Sequence, residues 1–126
     1  MARILIIDDE ELVRHVMRRM VEWAGHEAVE AQNGEQGVAL QNENPADLII
    51  IDMIMPGRHG IDVIVELKRA HPDVSIVAMS GGKWGYNVDY LPIARKLGVR
   101  MVMDKPFEMS ELLRVVRDCL TAPTTT

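Results

Sequence analysis

The chain is short of cysteine, of aromatic rings, of positive charge and of long apolar stretches. It has one cysteine, Cys119, in 126 residues, which excludes an intramolecular disulfide and any cysteine-based metal site. No apolar run approaches the ~18 residues that cross a bilayer. The first ten residues, MARILIIDDE, lack the basic start, extended apolar core and small-residue cleavage site of a signal peptide. Lys and Arg number 14 against 19 Asp and Glu, for a net charge of −5. That balance speaks against direct nucleic-acid binding, which runs on neutralising phosphates with basic side chains. Together these shortages predict a cytoplasmic protein with no membrane partner. What is present is ordinary for a folded domain: 48% hydrophobic and 26% charged residues, in a length that suits one domain with a real core.

Two hydrophobic patterns alternate along the chain. Short aliphatic runs occur at Arg3–Ile7, stopped by Asp8 and Asp9; at 46–51, stopped by Asp52; at Val74–Met79, stopped by Ser80; and at Arg100–Met103, stopped by Asp104 and Lys105. Such runs between polar residues read as strands buried on both faces. Glu27–Ala31 alternates polar and apolar residues, as an edge strand does. Helical spacing lies between. From Glu10 to Ala24, residues Val13, Val16, Met17, Met20, Val21 and Ala24 mark one face, with Gly25 as the stop. Asn33–Gln41 follows with Asn33 as a cap, then Ile61–Ala70, and Tyr90–Leu97 ending at Gly98. The last helix, Glu111–Leu120, buries Leu112, Leu113, Val116, Cys119 and Leu120, with Ser110 as its N-cap. Met17, Met20, Met79, Met101 and Met103 fall at core positions as gap-fillers. Strand then helix, five times over, predicts a doubly wound α/β fold with a mainly parallel sheet. Residues 1–120 form one domain, and the polar tail 121–126 frays.

In an open parallel sheet, ligands bind beyond the carboxyl ends of the strands. Those ends here carry Asp8, Asp9, Asp52, Ser80 and Lys105. Each has a bland alternative: Asp8-Asp9 as a helix cap, Asp52 as the start of a turn before Pro56-Gly57, Ser80 as a loop residue before Gly81-Gly82. Their coincidence at consecutive strand ends points to a shared pocket. Three carboxylates there call for a hard cation such as Mg²⁺, which keeps waters that a substrate displaces. Lys105 and Ser80 suit phosphate oxygens. The set is equipment for moving a phosphoryl group onto an aspartate.

The motifs ILIIDDE, DLIIIDMIMPGRHG, a Ser ending the fourth strand, and GVRMVMDKPF together resemble the receiver domain of two-component response regulators, over residues 3–120. The resemblance implies a flavodoxin-like (βα)5 fold with a five-stranded parallel sheet of order 2-1-3-4-5. It implies Asp52 as the phospho-acceptor and Mg²⁺ held by Asp9 and Asp52, by the backbone carbonyl of Ile54, and by Asp8 mostly through water. Lys105 would pair with the phosphoryl group and Ser80 would be the switching hydroxyl. The Lys105-Pro106 bond would be cis. The partners implied are a histidine kinase or phosphotransfer protein, meeting Arg14, His15, Arg18 and Arg19 on the outer face of the first helix, and an output protein; the chain itself would be a monomer or weak dimer. Such a protein promotes only its own phosphorylation and dephosphorylation.

Three features depart from the family pattern. Val102 stands where an aromatic residue usually lies, three before the lysine. Gly81–Pro92 is longer than usual and holds Trp84, Tyr86 and Tyr90, so this segment is expected to carry the switch. Ile54 and Gly82 offer no polar side chain beside the phosphate. Two other classes compete with the receiver. An aspartate-nucleophile phosphohydrolase wants a second Asp two residues after the nucleophile, where this chain has Ile54. A receiver-like binding module that is never phosphorylated would have no use for the intact Asp8, Asp9, Asp52, Ser80 and Lys105 set.

Overall fold

A computed structural model of the chain describes residues 1–55, 60–80 and 91–121. Five strands alternate with five helices: β1 (Arg3–Ile7), α1 (Glu11–Trp23), β2 (Glu27–Ala31), α2 (Gly34–Glu43), β3 (Leu48–Asp52), α3 (Gly60–Ala70), β4 (Ser75–Ser80), α4 (Leu91–Lys96), β5 (Met101–Asp104) and α5 (Met109–Thr121). The sheet order is β2-β1-β3-β4-β5 and every pairing is parallel. This is the flavodoxin-like arrangement. Pro56-Gly57, residues 81–90 with Trp84, Tyr86 and Tyr90, and the tail beyond Thr121 lie outside the described residues.

The strand period of two builds the layers. Leu5 and Ile7, Ile49 and Ile51, Ile76 and Ala78 point to one face and pack with Val38 of α2, Val63, Ile64 and Leu67 of α3, and Ala94 of α4. Ile4 and Ile6, Leu48 and Ile50, Val77 and Met79 point to the other, where Met17 and Val21 of α1 meet Leu112, Val115, Val116 and Cys119 of α5. Each fully buried Ile or Leu contributes about 1.5–3 kcal/mol. The two cores clamp the sheet, so the carboxyl ends of its strands form a rigid edge.

Local signals place the helix ends. Asn33 Oδ1 accepts the Gln36 N–H at 2.8 Å, and Gln36 Oε1 accepts the Gln32 N–H at 2.8 Å, a reciprocal cap on α2. Gly25 and Gly98, at φ +95° and +89°, follow α1 and α4 in the left-handed region that side chains avoid. Some expectations shift. Ser110 lies inside α5, not at its cap: the helix starts at Met109, and the Glu108 carbonyl accepts the N–H groups of Glu111 and Leu112. Val115 is buried on α5, whereas Leu113 and Leu120 are half-buried, because the inward stripe is rotated slightly. On α1 the buried stripe is Arg14, Met17 and Val21, while Val16 and Ala24 are exposed. Thr121 closes α5, its hydroxyl donating to the Arg117 carbonyl at 2.8 Å.

Candidate functional site: an acidic pocket closed by Lys105

β1 and β3 are neighbours, and the chain leaves β1 toward β2 but returns past it to β3. That reversal opens a crevice at their carboxyl ends. Asp8 follows β1 directly and is fully buried; Asp52 is the last residue of β3 and is 5% exposed. The two carboxylates are held alike. Asp8 Oδ1 accepts the Glu10 N–H at 2.9 Å, and Asp52 Oδ1 accepts the Ile54 N–H at 3.0 Å. Each carboxylate bonds the backbone two residues on, which is the turn its residue type favours. Each then turns its second oxygen to Lys105, whose Nζ is 2.8 Å from Asp8 Oδ2 and 3.0 Å from Asp52 Oδ2. The bland turn reading of Asp52 and the functional one are thus both realised, because the turn bond aims the free oxygen. Asp8-Asp9 does not cap α1: the cap residue is Glu10 and it makes no side-chain cap bond.

Lys105 follows β5 and precedes a cis peptide to Pro106, as expected. Burial alone would disfavour its ammonium. Hydrogen bonds and the charges of Asp8 and Asp52 outweigh that and hold its pKa well above the ordinary lysine value. At Asp52 the balance goes the other way. Burial pushes its pKa above the usual carboxylate range, helped by the Asp8 charge, against the Ile54 N–H and Lys105. Asp9 is exposed, yet partial desolvation and the neighbouring Asp8 charge raise its pKa too. In both carboxylates burial is the main cause and the Asp8 charge adds to it, so the ionised forms sit in a pocket that disfavours them.

Among the described residues, the carboxylates whose oxygens lie within 4.8 Å of one another are those of Asp8, Glu10 and Asp52. Glu10, which the motifs did not single out, also approaches Lys105 Nζ at 3.4 Å. Asp9 stands outside that set. Ile54 has its N–H on Asp52. Ser80 ends β4 level with Asp104 of β5, and its side chain lies outside the described residues. The donors are all carboxylate oxygens around a cationic centre, the chemistry a hard divalent ion requires. Val102, on β5, packs half-buried against the α2–α3–α4 face of the core.

Beside the pocket, Arg14 does not lie on the outer face of α1. It is 9% exposed, donating from Nε to Glu30 Oε1 of β2 and from Nη1 to the Asp8 carbonyl, each at 2.8 Å. Arg18 Nη1 reaches Glu30 Oε2 at 3.0 Å, and His15 lies 3.5 Å from Oε1. Burial opposes the Glu30 charge, but the hydrogen bonds from Arg18 and Arg14 hold its pKa below the usual range. The signal available in the sequence was slight: an arginine three residues before Met17, on its face, and a glutamate in an alternating edge strand.

The response regulator receiver domain family matches the chain over residues 4–117. The protein belongs to that family. Its receiver fold superposes on the crystal structure of the NtrX receiver domain from Brucella abortus with a TM-score of 0.87 and 26% identity, covering 95% of this chain and 99% of that one. Among curated relatives, the receiver is 30% identical to chemotaxis protein CheY of Halobacterium salinarum over 121 residues, 95% of this chain and 98% of that protein. It is 36% identical to transcriptional regulatory protein PdtaR of Mycobacterium tuberculosis over 117 residues, 90% of this chain and 54% of PdtaR. The chain therefore spans nearly all of one relative and about half of another. Receivers are signalling modules of two-component systems that bind Mg²⁺ through an acidic pocket. No helix among the described residues is long and apolar enough to cross a membrane.

Proposed function

We propose that this receiver takes a phosphoryl group from a phosphohistidine protein onto Asp52 and thereby changes its affinity for an output partner. The observation that carries the proposal is the paired geometry of Asp8 and Asp52, each with one oxygen tied to backbone and the other drawn to Lys105. Asp52 Oδ2 is the oxygen left to attack phosphorus, and Lys105 moves with its positive charge from that oxygen to the incoming phosphoryl oxygens. Mg²⁺ would be held by Asp9, Asp52 and the Ile54 carbonyl, beside the buried Asp8. When bound, the ion neutralises charge developing on the transferred group. Ser80 supplies the switching hydroxyl. The protein promotes only its own phosphorylation and dephosphorylation, and works in the cytoplasm.

The phosphodonor docks on α1. Leu12, Val16, Arg19 and Trp23 recur at i, i+4, i+7 and i+11 and share one side of the helix. Leu12 is 77% and Trp23 76% exposed, a stripe suited to the apolar side of a partner helix. His15 and Arg18 border it, paired in part with Glu30.

Incubation with Mg²⁺ and acetyl phosphate, followed by intact mass measurement, tests the reaction. The wild-type protein gains one acid-labile phosphate and Asp52→Asn gains none. An Asn variant phosphorylated as fast as wild type refutes the assignment, and turnover of an external phosphomonoester would show a phosphohydrolase instead.

A further inference from the structure

Arg14 is a buried cation on the inward stripe of α1, where helical spacing calls for an apolar side chain. We infer that Arg14, anchored by Glu30, is a positioning residue for the metal-binding acidic turn. It grips the backbone of Asp8 so that the carboxylates after β1 keep the arrangement a divalent cation needs. The inference rests on the Mg²⁺-dependent reading above and deepens it.

Asp8 is the point where β1 ends and the turn to α1 begins. On one side its N–H donates to the Ala31 carbonyl of β2 at 3.1 Å. On the other its carbonyl accepts from Arg14 Nη1 at 2.8 Å. Arg14 is aimed by its second bond, Nε to Glu30 Oε1 at 2.8 Å, and Glu30 directly precedes Ala31. The main chain of Asp8 is therefore pinned to adjacent residues of β2, once directly and once through Arg14. The rigid guanidinium fork makes this possible, since two of its N–H groups point to two fixed acceptors at once. With the backbone pinned, the carboxylate of Asp8 holds its bonds to the Glu10 N–H and Lys105, and Asp9 leaves the same turn in a set direction. Outer partners of this kind orient metal ligands that they do not themselves touch.

Charge and positioning predict opposite outcomes when Arg14 is replaced. Removing a cation near an acidic pocket would by Coulomb's law alone tighten Mg²⁺ binding. Loss of a positioning residue weakens it, by about tenfold or more where such partners have been removed. The experiment is titration of the full chain with Mg²⁺ by isothermal calorimetry, without phosphodonor, on wild type, Arg14→Met, Arg14→Lys and Glu30→Gln. Arg3→Met is the control, because Arg3 makes a comparable β1–β2 ion pair with Glu27 at the opposite end of the strands. Weaker binding in Arg14→Met and Glu30→Gln, with Arg3→Met unchanged, supports the inference. Arg14→Lys, which keeps the charge but cannot span both acceptors, should weaken binding as well. Unchanged or tighter binding in Arg14→Met overturns it and leaves Arg14 a structural ion pair. If Arg14→Met does not fold, Arg14→Lys decides, because it keeps the charge and loses only the span between the Glu30 carboxylate and the Asp8 carbonyl: weaker Mg²⁺ binding supports the inference and unchanged binding overturns it. A wild-type protein that binds no Mg²⁺ overturns the proposed function, and the inference with it.

Discussion

Replacing Lys105 by Met removes the cation that, among the described residues, Asp8, Glu10 and Asp52 share, and keeps most of the stem's volume. The ammonium lies 2.8, 3.4 and 3.0 Å from those three carboxylates. At an effective dielectric near 20, a unit charge pair at 3 Å is worth about 5 kcal/mol before desolvation is subtracted. The loss cannot reach that figure, because a buried carboxylate can take up a proton instead. At pH 7, protonating an aspartate whose ordinary pKa is ~3.9 costs about 4 kcal/mol. Proton uptake is thus the cheaper escape and caps the damage, so the expected destabilisation in EDTA at pH 7 is about 2–4 kcal/mol. For a domain of this size that lowers Tm by roughly 10 °C. The pH dependence follows from the sign. In Lys105→Met the folded-state carboxylate pKa lies above its unfolded value, so the penalty is present above the folded pKa and disappears as pH falls through it. The gap between variant and wild type should shrink to below about 1 kcal/mol at pH 4.5. Urea denaturation of both proteins between pH 4.5 and 7.5, in EDTA, measures it. A gap that is the same at both ends of that range would refute the charge argument and assign the loss to packing of the lysine stem. Added Mg²⁺ should stabilise the variant at least as much as wild type.

Asp52→Asn should stabilise the metal-free protein at pH 7 by on the order of 1 kcal/mol. Burial raises the Asp52 pKa in the fold, so its ionised form costs stability above that pKa, and the gain should vanish as pH falls below about 4; thermal melts across pH check both statements. Mg²⁺ at ~100 times its Kd adds about 2.7 kcal/mol to the wild-type protein, and Asp9→Ala should erase most of this gain in a thermal shift titration. Gly60→Ala should cost about 1–3 kcal/mol and slow acetyl phosphate labelling of Asp52. Its new Cβ would meet the Met53 carbonyl oxygen at 2.7 Å and Cα at 2.8 Å, main-chain atoms that can yield only by shifting the residue after Asp52; labelling at the wild-type rate with the stability loss present would show that the shift stops short of the pocket.

Much of this architecture is local and so was readable along the chain. Four strands are aliphatic runs closed by polar residues, and three of those residues, Asp8, Asp52 and Lys105, meet in the acidic pocket, each at or just after a strand end, while Ser80 ends β4. Strand period two makes Ile4-Ile6 and Leu5-Ile7 face opposite layers whatever the neighbours are. Asn33 before Gly34 and glycines after α1 and α4 mark boundaries by backbone chemistry that acts within one turn. The sheet order 2-1-3-4-5 came from the motif resemblance, because periodicity says that a run is a strand and not which strand lies beside it.

Tertiary structure decided what depends on distance across the fold. Asp8 and Asp9 are identical in kind and adjacent. Yet one is sealed behind β1 against Lys105, 97 residues away, and the other is exposed, because consecutive side chains leave a strand end in opposite directions. Arg14 looked like part of a basic outer face, since a helical pattern gives spacing but not the angle at which the helix lies on the sheet. That angle turned Arg14 inward to Glu30, 16 residues on, and left Leu12, Val16 and Trp23 in solvent. Glu10 entered the carboxylate cluster because the Asp8 carboxylate bends the chain at its N–H. A sequence names the groups that will carry charge. Only packing sets how far apart they lie and how little water is between them, and those two quantities set the strength of every interaction in the pocket.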